Sequence, residues 1–178
     1  QGIIVARGNP GKIDSIADLA RRGVRIVNRQ RGSGTRALFE FLLSQAGIDR
    51  ESLSGYDNEE ITHSAVAAMI ASGHADAGLG VEAAARQFDL GFVPLLKEDY
   101  FLVTRRELLR QPALEALLAL LKGNAFRRAV RALPGYEDLR ATCQAHNVEL
   151  FESVMSLTGM VNVGKGALVV GFASEPHA

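Results

Sequence analysis

A single cysteine, Cys143, is the whole thiol content of this 178-residue chain, which excludes an intrachain disulfide framework and any multi-cysteine metal site. Tryptophan is absent and aromatic residues make up 6%, too few for an aromatic platform that stacks single-stranded bases. Neither sign of charge dominates, since 20 Lys+Arg stand against 20 Asp+Glu. That balance argues against a general nucleic-acid or anionic-membrane surface, yet leaves room for a small positive pocket. Long apolar runs are missing too. The uncharged stretch from Ser153 to Gly164 is short and carries Gly, Asn, Ser and Thr, so nothing in the sequence reads as a membrane span. The opening residues, Gln1 to Ala6, show no basic region ahead of an apolar core, so no signal peptide is read there. A start at Gln that runs straight into Ile3, Ile4 and Val5 reads as an excised fragment.

What is present is a folded composition, 47% hydrophobic and 22% charged, of a length that suits one compact domain. Residues 2–6 read as a short strand closed by the Gly8, Asn9, Pro10, Gly11 turn, and residues 24–27 as a second strand. Leu38, Phe39, Leu42, Leu43 and Ala46 fall on one helical face, as do Val66, Met69 and Ile70 in a helix that Thr62 is placed to cap. Further strands are expected at 76–81, 92–95 and 100–104, and helices at 82–88, 108–121 (Pro112 in its first turn) and 126–133. Strand and helix signals alternate through residue 104. The pattern predicts an α/β fold with a mostly parallel sheet flanked by helices. After Arg140 the periodicity weakens, with apolar but ambiguous residues at 148–155 and strand-like runs at 160–163 and 167–172. The reading is therefore one domain over residues 1–140 and a tail of unknown role over 141–178.

Chemistry concentrates in one loop. Arg29, Gln30, Arg31, Gly32, Ser33, Gly34, Thr35 and Arg36 lie between a β-branched strand and an amphipathic helix. Such a junction offers unpaired N–H groups and a partial positive charge, both of which favour an anion. Gly32 and Gly34 let the backbone come close to a ligand, Ser33 and Thr35 add hydroxyl donors, and Arg29, Arg31 and Arg36 supply countercharge. The plainer alternative is that a hydroxyl only caps the helix while the arginines face solvent. Neither a nucleotide P-loop nor a Gly-x-Gly-x-x-Gly dinucleotide turn is present. Thr62 and His63 open the next helix and are candidates to point a second N-terminus at the same place. No histidine pair has metal-ligand spacing, and Glu59, Glu60 and Glu82 lack an accompanying nucleophile. No catalytic residue, metal or cofactor is expected.

The run from Asn28 to Arg36 resembles the signature of the bacterial molybdate-binding-type periplasmic-binding-protein domain, found behind helix-turn-helix domains in transcriptional regulators. Other pieces agree in order: Val5-Ala6-Arg7-Gly8-Asn9-Pro10, Glu60-Ile61-Thr62-His63-Ser64-Ala65-Val66-Ala67, Ser72-Gly73-His74-Ala75-Asp76-Ala77-Gly78-Leu79-Gly80, and Phe126-Arg127-Arg128 before Leu133-Pro134-Gly135-Tyr136. The resemblance covers about residues 3–136. It implies one lobe of a type 2 periplasmic binding protein plus late helices, with the first lobe largely missing. It also implies a non-catalytic domain that binds or senses a small oxyanion such as molybdate or tungstate. The ligand-binding candidates are Arg29, Arg31, Gly32, Ser33, Gly34, Thr35, Arg36, Thr62 and His63. The implied partners are a fused helix-turn-helix domain or a transporter, with self-association through the uncovered lobe surface, and without nucleic-acid contact or membrane insertion by this segment. The compartment follows the partner, cytoplasmic for a regulator and periplasmic for a transport protein. Two other classes stay open: an enzyme on phosphorylated or carboxylated small molecules, and an organic-anion-binding or protein-interaction module.

Overall fold

The computed structural model describes residues 1–103, 108, 110–136 and 169–173. The chain divides into two compact units, Gln1–Lys97 and Glu98–Ala178. The first unit is built around strand β1, Gly2–Val5, every residue of which is buried. Strand β4, Ala77–Gly80, pairs with one edge of β1 and β5, Gly91–Pro94, with the other, both antiparallel. Two short strands, β2 (Asn28–Arg29) and β3 (Glu59–Glu60), form a separate parallel pair with Asn28 opposite Glu59 and Arg29 opposite Glu60. Isolated parallel bridges, Arg25 to Ser54 and Ile26 to Ala77, join the pair to its surroundings and to β4.

The expectation of a mostly parallel sheet is therefore overturned. The three-stranded sheet is antiparallel throughout, and among the described residues parallel pairing is confined to the small β2–β3 pair and the two isolated bridges. The physical reason lies in the connection between β4 and β5. Helix α3, Glu82–Gln87, carries the chain over one strand position, so β4 and β5 run the same way with a gap between them. β1 fills that gap running the opposite way. Alternating strand and helix signals announce such crossovers, but they do not say that an earlier strand occupies the skipped place.

Because successive side chains of a strand face opposite ways, β1 feeds two cores. Ile3 and Val5 join Ile13, Leu19, Ile26 and Leu79 under Phe39 and Leu43 of helix α1, Gly34–Gln45. Ile4 faces Val27, with Val66, Ala67 and Ile70 of helix α2, His63–Ala71, and Ala84 and Ala85 of α3. The expected helical faces at residues 38–43 and 66–70 are the faces that pack. The strand expected at 24–27 is reduced to isolated bridges at Arg25 and Ile26, and the paired strand β2 lies at Asn28–Arg29, in the stretch that the sequence reads as loop. On the Ile4 side of the sheet Gly78 lets α2 seat against β4: a Cβ there would lie 2.6 Å from the Val27 carbonyl oxygen and 2.8 Å from Val66 Cγ1.

In the second unit, β6 (Asp99–Val103) pairs antiparallel with β7 (Val169–Ala173). Helix α4, Pro112–Lys122, opens with its proline in the first turn, and α5, Asn124–Arg131, follows after Gly123. β7 overlaps the strand-like run at 167–172 and ends one residue past it, whereas the runs at 148–155 and 160–163, and Cys143, lie outside the described residues.

The Gly78 contact makes a direct test. Gly78→Ala forces a methyl group against a carbonyl oxygen that cannot turn aside, and overpacking of this kind costs about 1–3 kcal/mol. The variant is expected to unfold at a lower temperature and lower urea concentration than the parent. Unchanged melting would show that α2 does not seat on β4 this closely.

Candidate functional site

The β2–β3 pair sets the site. Both strands run in the same direction and both lead within a few residues into a helix, so the amino termini of α1 and α2 stand at the same end of the pair. Each helix is capped by its own hydroxyl. Ser33 Oγ accepts from the Arg36 N–H at 3.2 Å, and Thr62 Oγ1 accepts from the Ala65 N–H at 3.0 Å. The first N–H groups of each helix have no partner within the helix. Gly32, at φ 84°, makes the left-handed turn that brings the chain from β2 into α1, and the Ser33 N–H closes it on the Gln30 carbonyl at 3.2 Å.

The three arginines of the loop have three different fates. Arg36 is 2% exposed and turns inward. Its guanidinium meets Glu40 at 2.9 Å and Glu59 at 3.1 Å, and lies 4.2 Å from the centre of the Tyr56 ring. Burial opposes its charge, but the hydrogen bond to Glu40 and the Tyr56 contact outweigh burial and raise its pKa. The hydrogen bond from Arg36 in turn holds the Glu40 carboxyl below its ordinary value. Arg31 is 75% exposed and reaches back to Asp57 at 3.4 Å and Glu59 at 3.3 Å. Arg29 alone meets no carboxylate among the described residues. Its Nη2 donates to the Ile61 carbonyl at 2.8 Å, its Nε is buried without a partner, and burial lowers its pKa.

Thr35 is 5% exposed, and its hydroxyl donates to Gln1 Oε1 at 3.4 Å. Gln1 is held beside β5, where its carbonyl accepts from the Leu95 and Leu96 N–H groups at 3.0 and 3.1 Å. His63, the first residue of α2, has its Nδ1 buried and unpaired, and a Cβ on Gly80 would come within 3.4 Å of it. Burial, followed by the positive charges of Arg29 and of the amino terminus, presses the imidazole from 6.5 down to about 4. Its ring is therefore neutral at neutral pH. The structure thus brings Arg29, Ser33, Gly34, Thr35, Thr62 and His63 to one end of the β2–β3 pair, while Arg36 is drawn beneath it and Arg31 outward. The partners Glu40, Tyr56 and Glu59 escape a reading confined to the loop. The i, i+4 spacing of Arg36 and Glu40 was the available signal.

Among the described residues no three His, Cys, Asp or Glu side chains stand together as metal ligands, and no helix is long and apolar enough to cross a membrane. A depression of about 380 Å³ lies at the opposite end of the strands, where Asn9, Gly11, Arg21 and Asp76 contribute to its wall. There Arg21 is committed to the Gly11 and Lys12 carbonyls at 2.6 and 2.8 Å.

The His63 environment has a measurable consequence. Its folded pKa lies below its unfolded value, so between about 4 and 6.5 the unfolded chain binds a proton that the folded chain refuses. Stability is then expected to rise with pH across that window. Below it, protonation of Glu40 and Asp76, held low by Arg36 and Arg25, removes further stability. Urea titrations from pH 4 to pH 7 should show the rise, and His63→Gln should flatten it. An equal slope in the variant would show that His63 titrates as an ordinary surface histidine.

Comparison with known proteins agrees with this architecture. The chain is 35% identical to the uncharacterized protein YvgK of Bacillus subtilis over 136 residues, 76% of this chain and 44% of that protein. It is 76% identical over 49 residues to a DegV domain-containing protein of Xanthomonas axonopodis pv. citri, which is 28% of this chain and 16% of that one. A third relative, an uncharacterized protein from the ferredoxin 2Fe-2S gene 5′ region of Clostridium pasteurianum, is 37% identical over 92 residues, 51% of this chain and 81% of its own length. The chain thus spans less than half of the Bacillus and Xanthomonas relatives. No solved structure matches it. Residues 1–122 match the PBP superfamily domain, and with the α/β unit described above they establish that the chain belongs to the periplasmic-binding-protein (PBP) superfamily.

Proposed function

We propose that the first unit binds a small organic anion, without turning it over, at the end of the β2–β3 pair where α1 and α2 begin. The observation that carries this reading is Arg29: a guanidinium with no carboxylate partner, whose Nε is unpaired, on the parallel pair from whose one end both α1 and α2 start. The fixed fork of an arginine suits a carboxylate, which accepts two parallel N–H bonds. The helix termini add unpaired N–H groups and a favourable dipole.

The same geometry favours an organic anion over molybdate or tungstate. A tetrahedral oxyanion presents acceptors on every side, whereas a guanidinium offers its donors in one plane, which matches the two oxygens of a carboxylate. The Thr35 hydroxyl is buried and turned toward Gln1, while the Ser33 and Thr62 oxygens accept helix N–H groups and keep their own O–H to donate. Within a longer protein, such binding would serve as the sensing step of a regulator or the capture step of a transport system.

Thermal melting of the chain with acetate, benzoate, molybdate and tungstate tests the reading. A ligand at about 100 times its dissociation constant adds about 2.7 kcal/mol of stability. The carboxylates are expected to raise the melting temperature, and Arg29→Met to weaken their binding by roughly 10- to 100-fold, the effect of losing one or two hydrogen bonds to a charged group. Stabilisation by molybdate or tungstate with none by the carboxylates would restore the oxyanion reading. Steady hydrolysis of an ester or phosphate ester that is lost in Arg29→Met would make the site an enzyme's.

A further inference from the structure

We infer that the site discriminates by charge, taking singly charged anions in preference to doubly charged anions of the same shape. The inference rests on the binding reading just given and names the class of ligand within it. Its basis is the pairing of charges around the loop. Arg31 and Arg36 are met by Glu40, Asp57 and Glu59, so these five side chains together carry one negative charge. Arg29 brings the sum to zero. His63 contributes no positive charge at neutral pH, because its ring is held neutral by burial and by Arg29, the cation it faces.

A ligand with one negative charge matches Arg29. A second charge on the ligand at best doubles the attraction to that single cation. The cost of taking an ion out of water grows as the square of its charge, so it rises about fourfold. The second charge also faces carboxylates already present on β3 and in the loop before it, which repel it. The helix termini soften this penalty without removing it, because each supplies only about half a charge and is screened by salt. Three arginines in eight residues look in sequence like a dianion site. The tertiary pairings leave one.

Calorimetric titration with methanesulfonate and methylphosphonate separates the possibilities. The two have the same tetrahedral head and the same methyl group, and in alkaline buffer they differ by one charge. Methanesulfonate is expected to bind more tightly by on the order of tenfold, and both should be lost in Arg29→Met. Glu59→Gln removes one carboxylate shared by Arg31 and Arg36 and should narrow the gap by raising affinity for the phosphonate. Phosphonate binding as tight as or tighter than the sulfonate's, and still dependent on Arg29, would overturn the charge preference while leaving the binding site in place. Binding of neither anion, or binding indifferent to Arg29→Met, would overturn the site itself and the preference with it.

Discussion

The first unit depends on a strand that water cannot reach. β1 is buried along its whole length and paired on both edges, so each of its backbone polar groups must find its partner in β4 or β5. An unpaired group there would cost as much as a lost hydrogen bond. Its side chains divide between two cores, Ile3 and Val5 toward α1 and Ile4 toward α2 and α3. Each such burial is worth about 1.5–3 kcal/mol. Three consecutive β-branched residues thus hold two helical layers to one sheet. Gln1, just before the strand, is delivered by the same pairing to Thr35 of α1.

The site is held from below by a buried cation. Arg36 loses its hydration in the interior, and that loss is offset only because Glu40, Glu59 and the Tyr56 ring are all in place. These partners come from α1, β3 and the segment before β3, so one guanidinium fastens three pieces of chain. Its Nη1 also donates to the Arg29 carbonyl at 3.3 Å. Arg29, the arginine of the proposed site, is therefore positioned in part by the buried Arg36. Tyr56 completes the arrangement by donating to Glu40 at 3.1 Å and packing against Phe39. Removing any one partner would strand a charge in the interior, which is far costlier than the pair is stabilising.

Such an internal network also explains how a loop rich in arginine and carboxylates leaves one of its three guanidinium groups without a carboxylate partner. Most of its described ion pairs are surface contacts of small individual worth, such as Arg7 with Asp89 and Arg86 with Glu82. Their effect is to cancel charge locally rather than to stabilise the fold. Among the three arginines of the loop, Arg29 is the one without a carboxylate partner. His63 keeps its ring neutral beside it, so that it offers a hydrogen-bonding group without adding charge.

Sequence alone determined what is decided within a few residues. Ser33 and Thr62 cap the helices that their positions announce, the apolar faces at residues 38–43 and 66–70 pack inward, and Gly32 turns the chain where a left-handed residue is needed. These features follow from backbone geometry and side-chain periodicity, which act over one or two turns. Only the tertiary structure decided that β1 runs against β4 and β5, because strand direction is set by which gap the crossover leaves open. Only the tertiary structure also divided three similar arginines into one buried, one neutralised at the surface and one free. Arg36 finds Glu59 at a separation of 23 residues and Arg31 finds Asp57 at 26. No local pattern encodes such distances, so the charge that a ligand meets is a property of the fold rather than of the loop.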